Sequence, residues 1–241
     1  MKKVLDEIKK NNSELGKLYI VATPIGNLSD MTFRAVEILK SVDTVLCEDT
    51  RTTKKLLDHY DITARTMSFH SHSKLSQVDK IINMLIEGNN LALVSDAGTP
   101  CISDPGVMLI AEIRKAIPEV TISPIPGASA LVSALSVSGI PVHEFTFKGF
   151  VPHKKGRETF FSDIASMSHT VVFYESVHRF IKTLESLEKS VPYRNIVVGR
   201  ELTKMFEEII SGTPSELKQY FDKNPDHVRG EFVVVVDSKT L

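Results

Sequence analysis

The residues of this chain that could do chemistry cluster where apolar runs stop and glycine and proline begin. TPIGN (Thr23 to Asn27), SDAGTPCISDPG (Ser95 to Gly106) and PIPGASA (Pro124 to Ala130) each close such a run. One loop of this kind is ordinary turn chemistry, because Gly and Pro punctuate every α/β protein. Three at strand ends fit one ligand crevice, since open α/β sheets bind ligands outside the carboxyl ends of their strands. Neither GxGxxG after the first run nor GxxxxGK followed by Ser or Thr occurs, so both common phosphate cradles are excluded. Asp96 offers a carboxylate suited to an ammonium or a hydroxyl. Ser129 offers a hydroxyl beside helix-start N–H groups, which favour a carboxylate. A ligand with an amino-acid moiety carries both groups and matches that pair better than a phosphate does.

Two further segments carry charge in a usable pattern. In CEDTRTT (Cys47 to Thr53), Glu48 and Asp49 end a strand and precede a basic helix start with Arg51, Lys54 and Lys55. One carboxylate there can accept a hydroxyl proton while Arg51 holds a phosphate bidentately. The alternative is that Asp49 caps the helix and Arg51 pairs with it. In HKKGR (His153 to Arg157), Lys154, Lys155 and Arg157 sit on a loop with Pro152 and Gly156, near Lys148. This is either a phosphate-contact patch or a solvated charge run. His70 and His72 in SFHSHSK are two apart, which without a third ligand makes a weak metal site; substrate contact and a plain surface loop stay open.

These residues need a scaffold, and its rhythm is legible. LYIVA (Leu18 to Ala22), TVLC (Thr44 to Cys47), NLALVS (Asn90 to Ser95) and VTISPI (Val120 to Ile125) are nearly continuous apolar runs. A parallel sheet covered on both faces requires such strands. Leu75, Val78, Ile82 and Leu85 fall at helical spacing, widened by Ile81 and Ile86. Ser29 and Asp30 ahead of Met31, Phe33, Val36 and Leu39 predict another helix start. Beyond Pro126 a small-residue helix (Gly127 to Gly139) leads to EFTFKGF, HTVVFY, NIVVGR, MFEEIIS and EFVVVVD. The short gap between Arg200 and Met205 predicts antiparallel neighbours there. The expected organisation is an N-terminal α/β lobe over 17–125 and a C-terminal α/β lobe over 126–241.

Composition narrows the class. The chain has 241 residues with 42% hydrophobic and 24% charged residues, which argues against disorder. Its 29 Lys and Arg against 30 Asp and Glu mean that nucleic-acid contact has to come from a local patch. Two cysteines without a CxxC exclude a disulfide scaffold and suit a reducing cytosol. The charged segment from Met1 to Lys17, a helical or frayed lead-in, is not a signal peptide, and no run reaches the roughly 18–20 apolar residues of a membrane span. A soluble cytoplasmic protein is expected.

Taken in order, TPIGN, CEDTRTT, SDAGTPCISDPG, PIPGASALVSAL, GFVPHKKGR, YESVHR and RELTK resemble the ribosomal RNA small subunit methyltransferase I family of the tetrapyrrole methylase superfamily. The resemblance runs from Lys17 to Asp237. It implies a two-lobed α/β fold, with a parallel sheet in the first lobe and a mixed sheet in the second. It also implies S-adenosylmethionine between the lobes and a homodimer; no metal is expected. The branch implies 2′-O-methylation of a cytidine ribose in the decoding region of small-subunit rRNA. Longer members carry a further C-terminal segment, and the resemblance does not extend its RNA contacts to this chain.

Carried over by position, the cofactor residues are Pro24, then Asp96, Ala97, Gly98 and Thr99, although the superfamily usually has Gly-Asp-Pro where this chain has Ser95, Asp96 and Ala97. Ser129 and Ala130 match the small pair after Pro-Gly, and Glu175 and Leu202 stand where second-lobe residues close over the adenosine. Asp49 or Glu48 is the candidate base for the 2′-hydroxyl, and Arg51, Lys154, Lys155 and Arg157 the RNA contacts. A methylase of a tetrapyrrole or other small acceptor, and a non-catalytic S-adenosylmethionine-binding module, are the competing readings.

Overall fold

A computed structural model describes residues 14–70 and 75–238, and the chain divides into two units between Ser129 and Ala130. The first unit contains β1 (Leu18–Val21), β2 (Thr44–Cys47), β3 (Arg65–Ser68), β4 (Leu91–Val94) and β5 (Ile122–Ile125). They form one parallel sheet in the order β3-β2-β4-β1-β5. Helices α1 (Phe33–Ser41), α2 (Thr50–His59), α3 (Leu75–Ile86) and α4 (Val107–Ala116) supply the crossovers.

The alternation of side chains along each strand shows why the apolar runs are unbroken. Leu91 and Leu93 of β4 face Val78, Ile81 and Leu85 of α3 and Leu109 and Ile113 of α4. Ala92 and Val94, one step out of phase, face Ala35 and Leu39 of α1 and Leu57 of α2. Both faces are buried, so every residue of β2 and β4 is apolar or sealed from water.

This unit adds one strand that the apolar runs do not show and shifts one expected helix start. β3 carries no apolar run; it is an edge strand with exposed ends, defined by its backbone pairing with β2, and periodicity does not reveal it. The helix start expected at Ser29 and Asp30 is a 3₁₀ turn, Leu28–Asp30, capped by Asn27. Helix α1 starts later, where the Thr32 hydroxyl accepts from the Ala35 amide at 3.2 Å, a cap worth about 1 kcal/mol. Phe33 consequently falls off the buried stripe and is 91% exposed, leaving Ala35 and Leu39 to pack.

The second unit holds α5 (Ala130–Val137), β6 (Phe145–Phe150), α6 (Arg157–Ser166), β7 (Thr170–Ser176), α7 (Phe180–Ser190), β8 (Ile196–Arg200), β9 (Glu208–Gly212), α8 (Pro214–Lys223) and β10 (Glu231–Val236). Its sheet runs β6-β7-β10-β8-β9, parallel at β6–β7 and antiparallel elsewhere. The β8–β9 pair is antiparallel as its short connection requires, although β9 begins at Glu208 and not at Met205. Residues 201–207 instead turn the chain, with Glu201 and Thr203 at φ of 49° and 66°. Phe180 and Phe232 stack at 3.9 Å in the core, with Phe221 edge-on to Phe180 at 4.9 Å. Truncating one of these rings to Ala costs roughly 3–5 kcal/mol.

Candidate functional site

Because the first sheet is parallel, all its carboxyl ends lie along one edge, and strand order divides that edge in two. The β3-β2-β4 half carries charge. A pocket of about 740 Å³ opens there, lined by Glu48, Asp49, Thr50 and Arg51 after β2, Ser68 and His70 at the end of β3, and Asp96 after β4. Asp49 occupies the N-cap of α2 and accepts the Arg51 amide at 2.8 Å. The Arg51 guanidinium returns to the same carboxylate, Nε to Oδ1 at 3.1 Å and Nη2 to Oδ2 at 2.7 Å. These hydrogen bonds hold the Asp49 carboxyl down at about 2. Of the two roles open for Asp49, cap and ion-pair partner is the one the geometry displays, and a carboxylate so weakly basic is a poor proton acceptor. Arg51 stays 87% exposed, fixed in direction yet open to solvent, with Lys54 and Lys55 exposed on the same helix.

The β4-β1-β5 half is neutral and stitched together by backbone. Thr23 and Gly98 exchange amide hydrogen bonds in both directions, at 2.9 and 3.0 Å. The Thr23 hydroxyl donates to the Ser95 carbonyl at 3.0 Å, and the Thr99 hydroxyl to the Ala128 carbonyl at 3.2 Å. The loops bearing Pro24, Asp96 to Thr99 and Ser129 therefore form one connected surface. Gly98 has a φ of +80°, and a Cβ there would come within 3.3 Å of Ile25 Cγ2, so both conformation and space favour glycine. Asp96 and Ala97 are exposed, while Thr99 and Ser129 are half-buried. Asp96 belongs to both halves, since one of its oxygens accepts the Asp49 amide at 3.2 Å.

The second unit treats its expected site residues differently. Lys154 and Lys155 are exposed on the turn before α6. Arg157, expected to face phosphate, turns inward: its guanidinium lies 3.6 Å from Glu175, donates to the Thr183 hydroxyl at 2.9 Å and covers the Phe161 ring. Lys148 is likewise committed, to Asp163 at 3.0 Å and over the Phe160 ring. Glu175, expected against the cofactor, has a fully buried side chain inside this network. An unpaired buried carboxylate is costly, which is why two arginines and a threonine converge on it. Ala130 opens α5, and Leu202 is buried in the 201–207 turn, close to the Gly199 backbone. His70 lines the charged pocket, whereas His72 lies outside the described residues.

Comparison with known proteins places this geometry. Residues 17–218 match the model for tetrapyrrole (corrin/porphyrin) methylases. The chain is 44% identical over 229 residues to ribosomal RNA small subunit methyltransferase I of Halalkalibacterium halodurans, spanning 95% of this chain and 78% of that one. It is 47% identical over 228 residues to the enzyme of the same name from Bacillus subtilis, spanning 93% and 76%. The chain belongs to the ribosomal RNA small subunit methyltransferase I family. A solved diphthine synthase shares the tetrapyrrole methylase fold with a TM-score of 0.71 at 14% identity, over 94% of this chain and 91% of the other. The expected fold of a parallel and a mixed α/β sheet is borne out for this methylase.

One carboxyl that feels the charges of the pocket carries no motif signal of its own. Asp104 follows Ser103 at the far end of the SDAGTPCISDPG loop, and its carboxyl is pushed up to about 6. Burial is the main cause and the nearby Glu48 charge the next, with Asp96 adding to it; a hydrogen bond from Ser95 works the other way. It is the second Ser-Asp pair in one loop, and only the folded loop brings it within reach of the Glu48 charge. Among the described residues no three His, Cys, Asp or Glu side chains are grouped to hold a metal, and no helix is long and apolar enough to cross a membrane.

Proposed function

We propose that this chain transfers a methyl group from S-adenosylmethionine to the 2′-hydroxyl of a cytidine ribose in the decoding region of small-subunit rRNA. The observation that carries the reading is the divided carboxyl edge: a stitched, neutral surface and a charged pocket that share Asp96. The stitched surface fits the cofactor. Asp96 leaves carboxylate surface for an ammonium, Ser129 stands half-buried just ahead of α5, and Gly98 keeps clear the space a side chain would fill. Bound there, S-adenosylmethionine supplies a methyl group on a cationic sulfonium.

The pocket residues then act on the acceptor. Arg51, clamped by Asp49, presents a cation to a phosphate, and Ser68 and His70 stand across the pocket for the ribose or base. With Asp49 occupied by Arg51, Glu48 takes the hydroxyl proton. Much of the acceleration comes from holding the acceptor oxygen in line. Lys154 and Lys155 add sequence-independent attraction for the RNA backbone.

A homodimer in the cytoplasm completes the reading. Val132 and Val137 on α5, with Phe150, Met205 and Phe206, give the second unit apolar surface for a partner copy. Sedimentation as a 26.8 kDa species at micromolar concentration would count against the dimer. The deciding assay is transfer of labelled methyl to small subunits lacking the modification, followed by mapping of the labelled nucleotide. Cofactor binding without transfer would instead identify a sensing module, and transfer only to a tetrapyrrole would reassign the acceptor.

A further inference from the structure

The basic loop of the second unit is held at both ends by one buried carboxylate. Glu175 Oε1 accepts the Ser176 amide at 2.7 Å and pairs with Arg179 Nη2 at 2.9 Å; Oε2 accepts the Thr183 hydroxyl at 2.6 Å and faces Arg157 Nη1 at 3.6 Å. The two arginines then reach the loop. Arg179 Nη1 donates to the carbonyl of Val151, where the loop leaves β6, at 2.7 Å. Arg157, where the loop enters α6, is anchored through Thr183 at 2.9 Å. Between those two fixed points lie Pro152, His153, Lys154, Lys155 and Gly156. The carboxylate is fully buried and the guanidiniums nearly so, at 16% and 18% exposure.

From this arrangement we infer that Glu175 is a positioning residue for RNA docking. It sets the conformation of the Lys154–Lys155 turn without touching RNA or cofactor. Each link has a physical reason. Two buried guanidiniums repel unless a carboxylate lies between them, so loss of the charge releases both. Release frees the Val151 and Arg157 ends together. The loop then has to be ordered on binding, which weakens association without altering the reacting groups. The inference rests on the reading that Lys154 and Lys155 contact substrate RNA.

The test compares Glu175→Gln, Lys154→Ala/Lys155→Ala and their combination, with small subunits as substrate. Glu175→Gln should raise KM for subunits by about 10-fold, while kcat and S-adenosylhomocysteine affinity stay within about twofold. In the Lys154→Ala/Lys155→Ala background it should add less than about twofold, since both changes act through the same turn. A full 10-fold in both backgrounds, or a parallel loss of S-adenosylhomocysteine binding, overturns the inference. Amide hydrogen exchange at residues 153–156 separates the two layers. Faster exchange in Glu175→Gln with no change of KM in either variant refutes the RNA reading and leaves the anchoring intact; unchanged exchange refutes the anchoring. Should Glu175→Gln fail to fold, Thr183→Val, of matching shape, removes the hydroxyl that joins Glu175 to Arg157 and is held to the same outcomes.

Discussion

Each unit sets arginine against carboxylate beside a basic segment, and the two pairings differ in almost every physical respect. Asp49 and Arg51 form theirs at the surface, with side chains 30% and 87% exposed. Glu175 is fully buried between Arg157 and Arg179. In water an ion pair adds little stability but fixes a direction, so Arg51 remains a cation available to a ligand. Out of water the same pair becomes an anchor whose partners are spent on each other and on backbone. Burial, not residue type, separates the arginine that can hold phosphate from the arginines that hold a loop.

Breaking the buried side should have the largest effect. Arg179→Ala leaves Glu175 short of a partner and the Val151 carbonyl without its donor, so urea unfolding should show a loss of roughly 3–5 kcal/mol. The corresponding exposed change, Arg51→Ala, should leave the urea midpoint nearly unmoved and appear instead as weaker subunit binding. Equal destabilisation by the two would erase the distinction.

Next in size is the effect at the proposed proton acceptor. Glu48→Gln should lower the methyl-transfer rate by about 10²-fold with cofactor binding retained, as single-turnover assays can show. Asp49→Asn keeps a capping side chain and should cost less than about threefold in rate. A reversed order would return the base role to Asp49.

The pH dependence sharpens the contrast further, because the two aspartates are shifted in opposite directions. Asp104 titrates at about 6 in the folded chain against an ordinary 3.8, so the folded state retains a proton that the unfolded chain releases. Stability should therefore decline as pH rises from about 4 to 6, and melting curves of Asp104→Asn should lack that decline. Asp49, held at about 2, contributes in the opposite sense: its stabilisation is present above pH 3.8 and is lost as the pH falls toward 2. The smallest effect is expected there, since the pair is exposed and screened by salt.

Much of the framework was legible from local chemistry. The runs at Leu18, Thr44, Leu91 and Ile122 became parallel strands because burial on both faces tolerates only apolar side chains, and the helix from Leu75 to Ile86 followed its periodicity. β3 was hidden because an edge strand is specified by a partner's backbone, which leaves no mark on its own residues. Phe33 misled for another reason: it opens the helix directly after the Thr32 cap, where its ring stays in solvent while Ala35 and Leu39 supply the buried face.

What the sequence determined by itself was the kind of protein: an α/β chain with Gly- and Pro-rich loops at its strand ends, and a family resemblance carried by motifs in order. Those properties are local, or additive along the chain, and survive being read one residue at a time. Only tertiary structure decided which charges are available. Lys154 stayed outside while Arg157 turned inward; Asp49 went to a helix cap while Asp104 was buried within reach of the Glu48 charge. Charge availability depends on desolvation and on partners distant in sequence, as Glu175 is from Arg157, and those distances exist only after folding.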